Sequence, residues 1–340
     1  VTDQTLADRI GHAPAPAMPQ HPEVPTWRMA TPDDIDAIHG IASAAGRVDH
    51  PTWTVPRDEI ADTFEMSHID HSRDTVIGFA ADGAPVAYGS AIVHPSRELR
   101  VQVDISGEVH PAWRRRGIGA QVVQWQYSQA LRRLVESGST LPGAVRAYAE
   151  GANDDAATLF ERHGLQVQRW FTTMERDLSQ PVPALEVPDG IVLVPYSSER
   201  ALQALEARND AFRDHWGSLP STHDTWQKFV GGPLLRPDLS TLALDGDRIV
   251  AFCLGSVNEE DWAALGASHV YIDLVGVVRS HRGRGLAPLV IAEALRAAAA
   301  AGLEKAVLDV DTESPTGAHS LYERLGFAAT ERERVLVREF

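Results

Sequence analysis

Two stretches of the sequence set arginine and glycine in the same order: Arg114-Arg115-Arg116-Gly117-Ile118-Gly119 and Arg282-Gly283-Arg284-Gly285-Leu286-Ala287. Glycine lets the backbone turn with positive φ and approach a ligand closely, and a helix opening there leaves several N–H groups without intrahelical partners. Such a turn suits a phosphate group, and the neighbouring arginines add charge. Downstream of each turn comes a second shared segment, Leu159-Phe160-Glu161-Arg162-His163-Gly164 in one half and Leu321-Tyr322-Glu323-Arg324-Leu325-Gly326 in the other. The two landmarks lie six residues closer together in the second half. Tyr322 has a proton to give; Phe160 has none. Asp273 stands just before the second turn, with Glu259 and Glu260 further upstream as other acidic side chains that could accept a proton. Cys253, the single cysteine, falls in the apolar run Ile249–Leu254 and reads as a buried structural thiol.

The elements that must carry these residues alternate in type. Apolar stretches over residues 101–105 and 270–275 predict strands leading into the turns, and long helices follow over 119–134 and 287–301, the second stopped by Gly302. Strands over 145–149 and 306–310 come next, then the short helix bearing the aromatic residue, then a closing strand. This order is α/β, with a phosphate site at the turn, and its repetition predicts two tandem domains. Prolines mark the breaks. A Pro-rich arm occupies 1–26, the first domain 27–178, a linker 179–190 and the second domain 191–340.

On these two segments, each half resembles the GNAT superfamily of acetyl-CoA-dependent N-acetyltransferases. The resemblance implies two GNAT-like domains, each a mixed sheet flanked by helices, whose fourth and fifth strands splay apart around the pantetheine of acetyl-CoA. In the second domain it implies a cofactor site of Val275, Val277 and Arg282, Gly283, Arg284, Gly285, Leu286 and Ala287. In the first it implies Val109 with Arg114, Arg115, Arg116, Gly117, Ile118 and Gly119. The chemistry implied is direct acetyl transfer to an amine, with Tyr322 as the acid that protonates the departing thiolate and Asp273 as the base. Asn153 keeps a family feature before the short helix of the first domain; the second has Ser314-Pro315-Thr316-Gly317 there. The resemblance also makes the segment Asp214, His215, Trp216, together with Tyr271, the expected wall of the acceptor pocket. The first domain, lacking the tyrosine, is expected to have lost catalysis and to hold a CoA molecule for structural reasons. The two-domain layout is similar to that of the mycothiol synthase branch, with Tyr271 and Ala287 standing where that branch has an acidic residue and a glycine.

Composition narrows the partners. Forty-seven acidic against 31 basic residues leave a net charge of −16, which disfavours duplex nucleic acid and anionic membranes and favours a cationic small-molecule amine. A cysteinyl amino-sugar and an aminoglycoside-like amine both satisfy this, and a non-catalytic acyl-CoA-binding protein is the competing class. No metal is expected, since one cysteine excludes a Cys-rich zinc site and His68-Ile69-Asp70-His71 reads as a solvated loop. The cysteine count, the absence of a long apolar run and the lack of a basic, apolar start predict a cytoplasmic protein, monomeric or homodimeric.

Overall fold

The computed structural model describes residues 3–13, 15–50, 54–314 and 317–340. It divides into two compact units: residues up to Arg169 joined by Glu333–Phe340, and Trp170–Arg332. The first half contains α1 (Leu6–Ile10), β1 (Thr26–Met29), α2 (Ile35–Asp49), α3 (Arg57–Glu65), α4 (His71–Asp74), β2 (Thr75–Phe79), β3 (Pro85–Val93), β4 (Val101–Val109), α5 (Ile118–Glu136), β5 (Gly143–Glu150), α6 (Asp154–Glu161) and β6 (Gln166–Asp177). The second contains β7 (Ile191–Pro195), α7 (Ala201–Ala211), α8 (His223–Gly231), β8 (Thr241–Asp245), β9 (Arg248–Ser256), α9 (Trp262–Leu265), β10 (His269–Val277), α10 (Leu286–Ala300), β11 (Lys305–Asp311), α11 (Ala318–Arg324) and β12 (Ala328–Glu339). The fold is the expected mixed α/β arrangement, given twice.

Each unit closes its sheet with a strand from the other half of the chain. In the first unit the order is β1-β2-β3-β4-β5, and Glu333–Glu339 of β12 pairs antiparallel with β5. In the second it is β7-β8-β9-β10-β11, and Phe171–Asp177 of β6 pairs antiparallel with β11. The Pro-rich stretch 179–190 therefore lies inside the second unit, where the buried guanidinium of Arg176 takes the carbonyls of Gln180 and Pro181, both at 3.1 Å. At the other end of the chain Leu6 of α1 is fully buried in the core of the first unit.

One parallel pair sits in each unit, β4 with β5 and β10 with β11, and among the described residues the other pairs within each unit are antiparallel. The joining helices α5 and α10 bury one apolar face: Val123, Ala130 and Leu134 in the first, Leu289, Val290, Ala294, Leu295 and Ala298 in the second. Helix α10 stops as its glycine predicts. Gly302 has φ 82°, and the Leu303 N–H reaches back to the Ala298 carbonyl at 3.1 Å, closing a left-handed C-cap. Residues 68–70 form a loop with Asp70 exposed, as expected, but His71 does not belong to it. His71 begins α4, stacks on Phe64 at 3.8 Å and bonds the hydroxyls of Thr63 and Thr75, so its ring is half-buried structure.

Candidate acyl-transfer site

The second turn has the backbone that phosphate binding needs. β10 ends at Val277, a single 3-10 turn covers Arg279–His281, and Gly283 and Gly285 then take φ 75° and 73° before α10 begins. At α10 the chain offers the free N–H groups and positive dipole end of a 15-residue helix. The space where either glycine would carry a Cβ is open to 4 Å, so these glycines answer to conformation and to close approach by a ligand. Arg284 is exposed and makes no ion pair among the described residues. Arg282 is different: it donates to Asp214 at 3.0 Å and to the Ala211 carbonyl at 2.8 Å. Asp210, at the end of α7, likewise takes the N–H of Arg279 at 2.8 Å and its side chain at 3.1 Å. Two carboxylates from one segment, Asp210 and Asp214, thus hold the turn.

Beside the turn the sheet opens. Parallel pairing covers His269–Tyr271 against Lys305–Val307 and stops there, although β10 runs on to Val277 and β11 to Asp311. A one-residue slip against β9 between Ile272 and Leu274 makes Asp273 the extra residue of a bulge, a device that re-aims a side chain. Its Oδ1 accepts from the Ser256 hydroxyl at 3.1 Å. Val275 and Val277, the expected backbone contacts of pantetheine, are half-buried along the open stretch. Tyr271 donates its hydroxyl to Asp309 at 2.7 Å, and Thr173 of β6 donates to the other oxygen at 2.6 Å.

Tyr322 sits on α11, 8% exposed, its ring edge-on to Phe327 at 5.7 Å. Gly326, φ 89°, ends the helix, and the Phe327 N–H returns to the Tyr322 carbonyl at 3.0 Å. The shared Leu-aromatic-Glu-Arg-x-Gly segment is therefore a helix with its left-handed stop. Burial pushes the Tyr322 hydroxyl well above its ordinary range, with the Cys253 sulfur adding to it. The Cys253 thiol, fully buried on β9, is in turn pushed up by burial and by the Asp273 carboxylate. Acid candidate, thiol and base candidate thus share one electrostatic neighbourhood.

The remaining expected residues scatter. His215 bonds the Trp216 carbonyl at 3.0 Å and lies 5.4 Å from the Phe212 ring, itself 6.5 Å from Phe252 under the turn. Glu259 and Glu260 are exposed ahead of α9, whose Trp262 donates to the His269 carbonyl at 3.3 Å. That contact places them at the start of β10, away from its glycine end. Pro315 and Thr316 lie outside the described residues; Gly317 caps α11 with φ 67°. Asp309 and Thr173 are not singled out by the sequence, and Asp210 falls in the segment 209–217 expected to wall the acceptor pocket. Only the polar interruption of the apolar run Ala306–Val310 marks Asp309.

The first unit repeats the turn with its charges already matched. Arg115 holds φ 64° where the second unit has Gly283, and Gly117 has φ 90°. Arg114 grips Asp49 with two bonds of 2.7 and 2.6 Å, Arg115 pairs with Asp155, and Arg116 pairs with Glu23 at 2.9 Å. Val109 offers its carbonyl to Arg114 at 3.0 Å, Ile118 is buried, and Gly119 faces Leu159. Glu108, beside Arg114, is pushed up to about 7 by burial and by Asp49. Phe160 fills the place of Tyr322 and is 9% exposed. Parallel pairing ends at Asp104 opposite Arg146, and there Arg146 binds Asp104 at 2.7 and 3.1 Å.

A splayed parallel pair, a glycine turn opening a helix and an aromatic residue on a short helix behind it together define an acyl-CoA-dependent transferase. The chain belongs to the GNAT family of acetyltransferases and is an N-acetyltransferase. The Acetyltransferase (GNAT) family profile matches residues 201–327. Over most of its length the chain is similar to the mycothiol acetyltransferase of Thermobispora bispora, 33% identical with 87% of this chain and 93% of the relative covered. That of Salinispora tropica is 31% identical, with 89% and 92% covered. Among solved structures, a GCN5-related N-acetyltransferase from Sphaerobacter thermophilus superposes with a TM-score of 0.68 at 28% identity, covering 92% and 95%. A tandem GNAT protein from the clavulanic acid biosynthesis pathway shares the fold, with a TM-score of 0.65 at 16% identity and 92% and 98% covered. Among the described residues no group of three or more His, Cys, Asp or Glu could hold a metal ion, and no helix is long and apolar enough to cross a membrane.

Proposed function

We propose that acetyl transfer takes place in the second unit, with acetyl-CoA along the open edge of β10, and that the acceptor is the cysteinyl amino-sugar precursor of mycothiol. The observation that carries the placement is the pairing of an unmatched cation, Arg284, with a tyrosine, Tyr322, in one unit, where the other has matched arginines and Phe160. The choice of acceptor is supported by the likeness to mycothiol acetyltransferases over most of the chain.

The residues present fit acetyl-CoA. The N–H groups at the start of α10, with Gly283, Gly285 and Arg284, would hold its pyrophosphate; Leu286 and Ala287 shape the first turn of the helix beneath. Main-chain groups of Val275 and Val277, unmatched by β11, would pair with its pantetheine amides. Acetyl-CoA supplies an activated thioester carbonyl. Asp273, on its bulge, takes the proton of the acceptor ammonium, directly or through water, so that the nitrogen lone pair can form the new C–N bond. Tyr322 donates its hydroxyl to the sulfur as the C–S bond breaks and gives up a proton to the leaving thiolate, with no covalent enzyme intermediate. The three-residue segment Asp214, His215, Trp216 holds the turn through Arg282 and, with Tyr271, borders the acceptor side. No metal takes part in this scheme.

The test is loss of the thioester absorbance of acetyl-CoA, with product mass, against glucosamine, spermidine, cysteine and the cysteinyl precursor of mycothiol. Saturable turnover favouring the cysteinyl precursor supports the proposal; preference for another amine replaces the acceptor, and binding of acetyl-CoA without turnover of any amine overturns the catalytic assignment.

A further inference from the structure

Asp309 is the carboxylate at the point where the acyl cleft opens. It lies two residues beyond Val307, the last residue of β11 paired with β10, and so shares Val307's face of the strand. Its neighbours Leu308 and Val310 are 1% and 5% exposed in the core, whereas Asp309 is exposed on the opposite face. Both of its oxygens are held, by the Tyr271 hydroxyl across the cleft at 2.7 Å and by the Thr173 hydroxyl at 2.6 Å. These donors are neutral: they fix the direction of the carboxylate without discharging it.

Among the described residues of the unit, Asp210 has Arg279, Asp214 has Arg282, Asp238 has Arg236 and Glu175 has Lys305, but Asp309 makes no ion pair. The first unit differs where its parallel pairing ends. There the last pair is Asp104 opposite Arg146, the carboxylate stands on the first strand of the pair and is bound by that arginine, and the position two residues beyond Arg146 is Tyr148. An oriented, exposed, uncompensated carboxylate beside an acyl site fits a cationic ligand held by charge-assisted hydrogen bonds.

We propose that Asp309 binds the ammonium group of the acceptor and that Tyr271, through its hydroxyl, is the positioning residue that aims it. The proposal rests on acetyl transfer in the second unit but not on which amine is the acceptor. Asp309 sets where the amine docks; Asp273, on the bulge, is left to take its proton. An acceptor whose amine is cationic is therefore selected over a neutral nucleophile of the same shape.

The test is steady-state kinetics of the full chain at saturating acetyl-CoA, using the best acceptor among glucosamine, spermidine, cysteine and the cysteinyl precursor of mycothiol. Asp309→Asn, which keeps size and the two hydroxyl contacts, is expected to raise the acceptor KM about 10- to 100-fold, leave kcat within threefold and leave the acetyl-CoA dissociation constant unchanged. Tyr271→Phe is expected to raise the same KM by a smaller factor, again without moving kcat, a split that simple loss of structure does not produce. An unchanged acceptor KM in Asp309→Asn overturns the proposal, as does a fall in kcat alone. A wild-type chain that binds acetyl-CoA but acetylates none of the four amines overturns the acetyl-transfer assignment, and this one with it.

Discussion

Replacing Tyr322 with Phe removes one oxygen from a site where the fold already accepts phenylalanine. Phe160 occupies the matching helix of the first unit, with the same return of the Leu165 N–H to its carbonyl. The Tyr322 hydroxyl makes no hydrogen bond among the described residues, so the change leaves no partner stranded, and the cost in stability should stay within ~0.5 kcal/mol. The rate should respond very differently. A positioned general acid contributes about 10²- to 10⁴-fold, at ~1.4 kcal/mol of barrier per decade. Burial sets the Tyr322 hydroxyl well above its ordinary value, which makes it a reluctant donor. The loss in kcat for Tyr322→Phe is therefore expected at the low end of that range, about 10²-fold. The measurement is thioester loss at saturating acetyl-CoA and acceptor, alongside a thermal melt and direct titration of acetyl-CoA binding. A kcat within threefold of wild type refutes the assignment of the acid. A large drop in melting temperature refutes the argument that the site tolerates phenylalanine.

Arg284→Ala should weaken acetyl-CoA binding about 10- to 100-fold by titration, whereas Arg114→Ala, whose guanidinium serves Asp49, should lower thermal stability with little effect on that affinity. Gly276→Ala would drive a Cβ into the Phe252 ring beneath the turn, so its denaturation midpoint should reveal a loss of ~1–3 kcal/mol. Glu108 holds its proton to about 7 in the folded chain against an ordinary value of 4.5, so rising pH ionises the unfolded state first and stability falls through that window. Glu108→Gln has no such proton to lose; denaturation midpoints at pH 4.5 and pH 8 should show the variant gaining on the wild type at the higher pH, and equal differences at both would refute the burial argument. Acetyl-CoA titrated into the full chain should fill two sites of unequal affinity, the weaker in the first unit; a single site lost on altering the second turn would show that the first holds none.

Much of the fold was legible because its signals are local. Strand and helix periods located β4, α5, β5 and their counterparts β10, α10 and β11 to within a few residues, and the glycine at 302 marked a helix stop that the backbone obeys. The glycine turn and the short helix that carries Tyr322 were legible for the same reason: both are written in consecutive residues. What escaped depends on pairing between distant segments. The bulge at Asp273 arises only when β10 is laid against β9, and the exchange of closing strands only when β6 and β12 find their sheets. Asp309 looked like an interruption of an apolar strand until the register put it opposite the Tyr271 hydroxyl.

The two copies differ most in how they use arginine. In the first turn each guanidinium has a carboxylate drawn from elsewhere in the unit: Asp49 at the end of α2, Asp155 in α6 and Glu23 in the Pro-rich arm. An incoming pyrophosphate there must compete with anions already in place, and only the backbone N–H groups at the start of α5 are offered without exchange. In the second turn Arg284 makes no ion pair among the described residues while Arg282 is held by Asp214, so one cation is left open to an anionic ligand and the other holds the architecture. Where the parallel pairing ends, Arg146 binds Asp104 in the first unit, whereas in the second the nearby Asp309 is held by the neutral hydroxyls of Tyr271 and Thr173. In the first copy ion pairs within the unit thus hold all three arginines of the turn, and the backbone of the turn and the helix stop are kept without a ligand to support them.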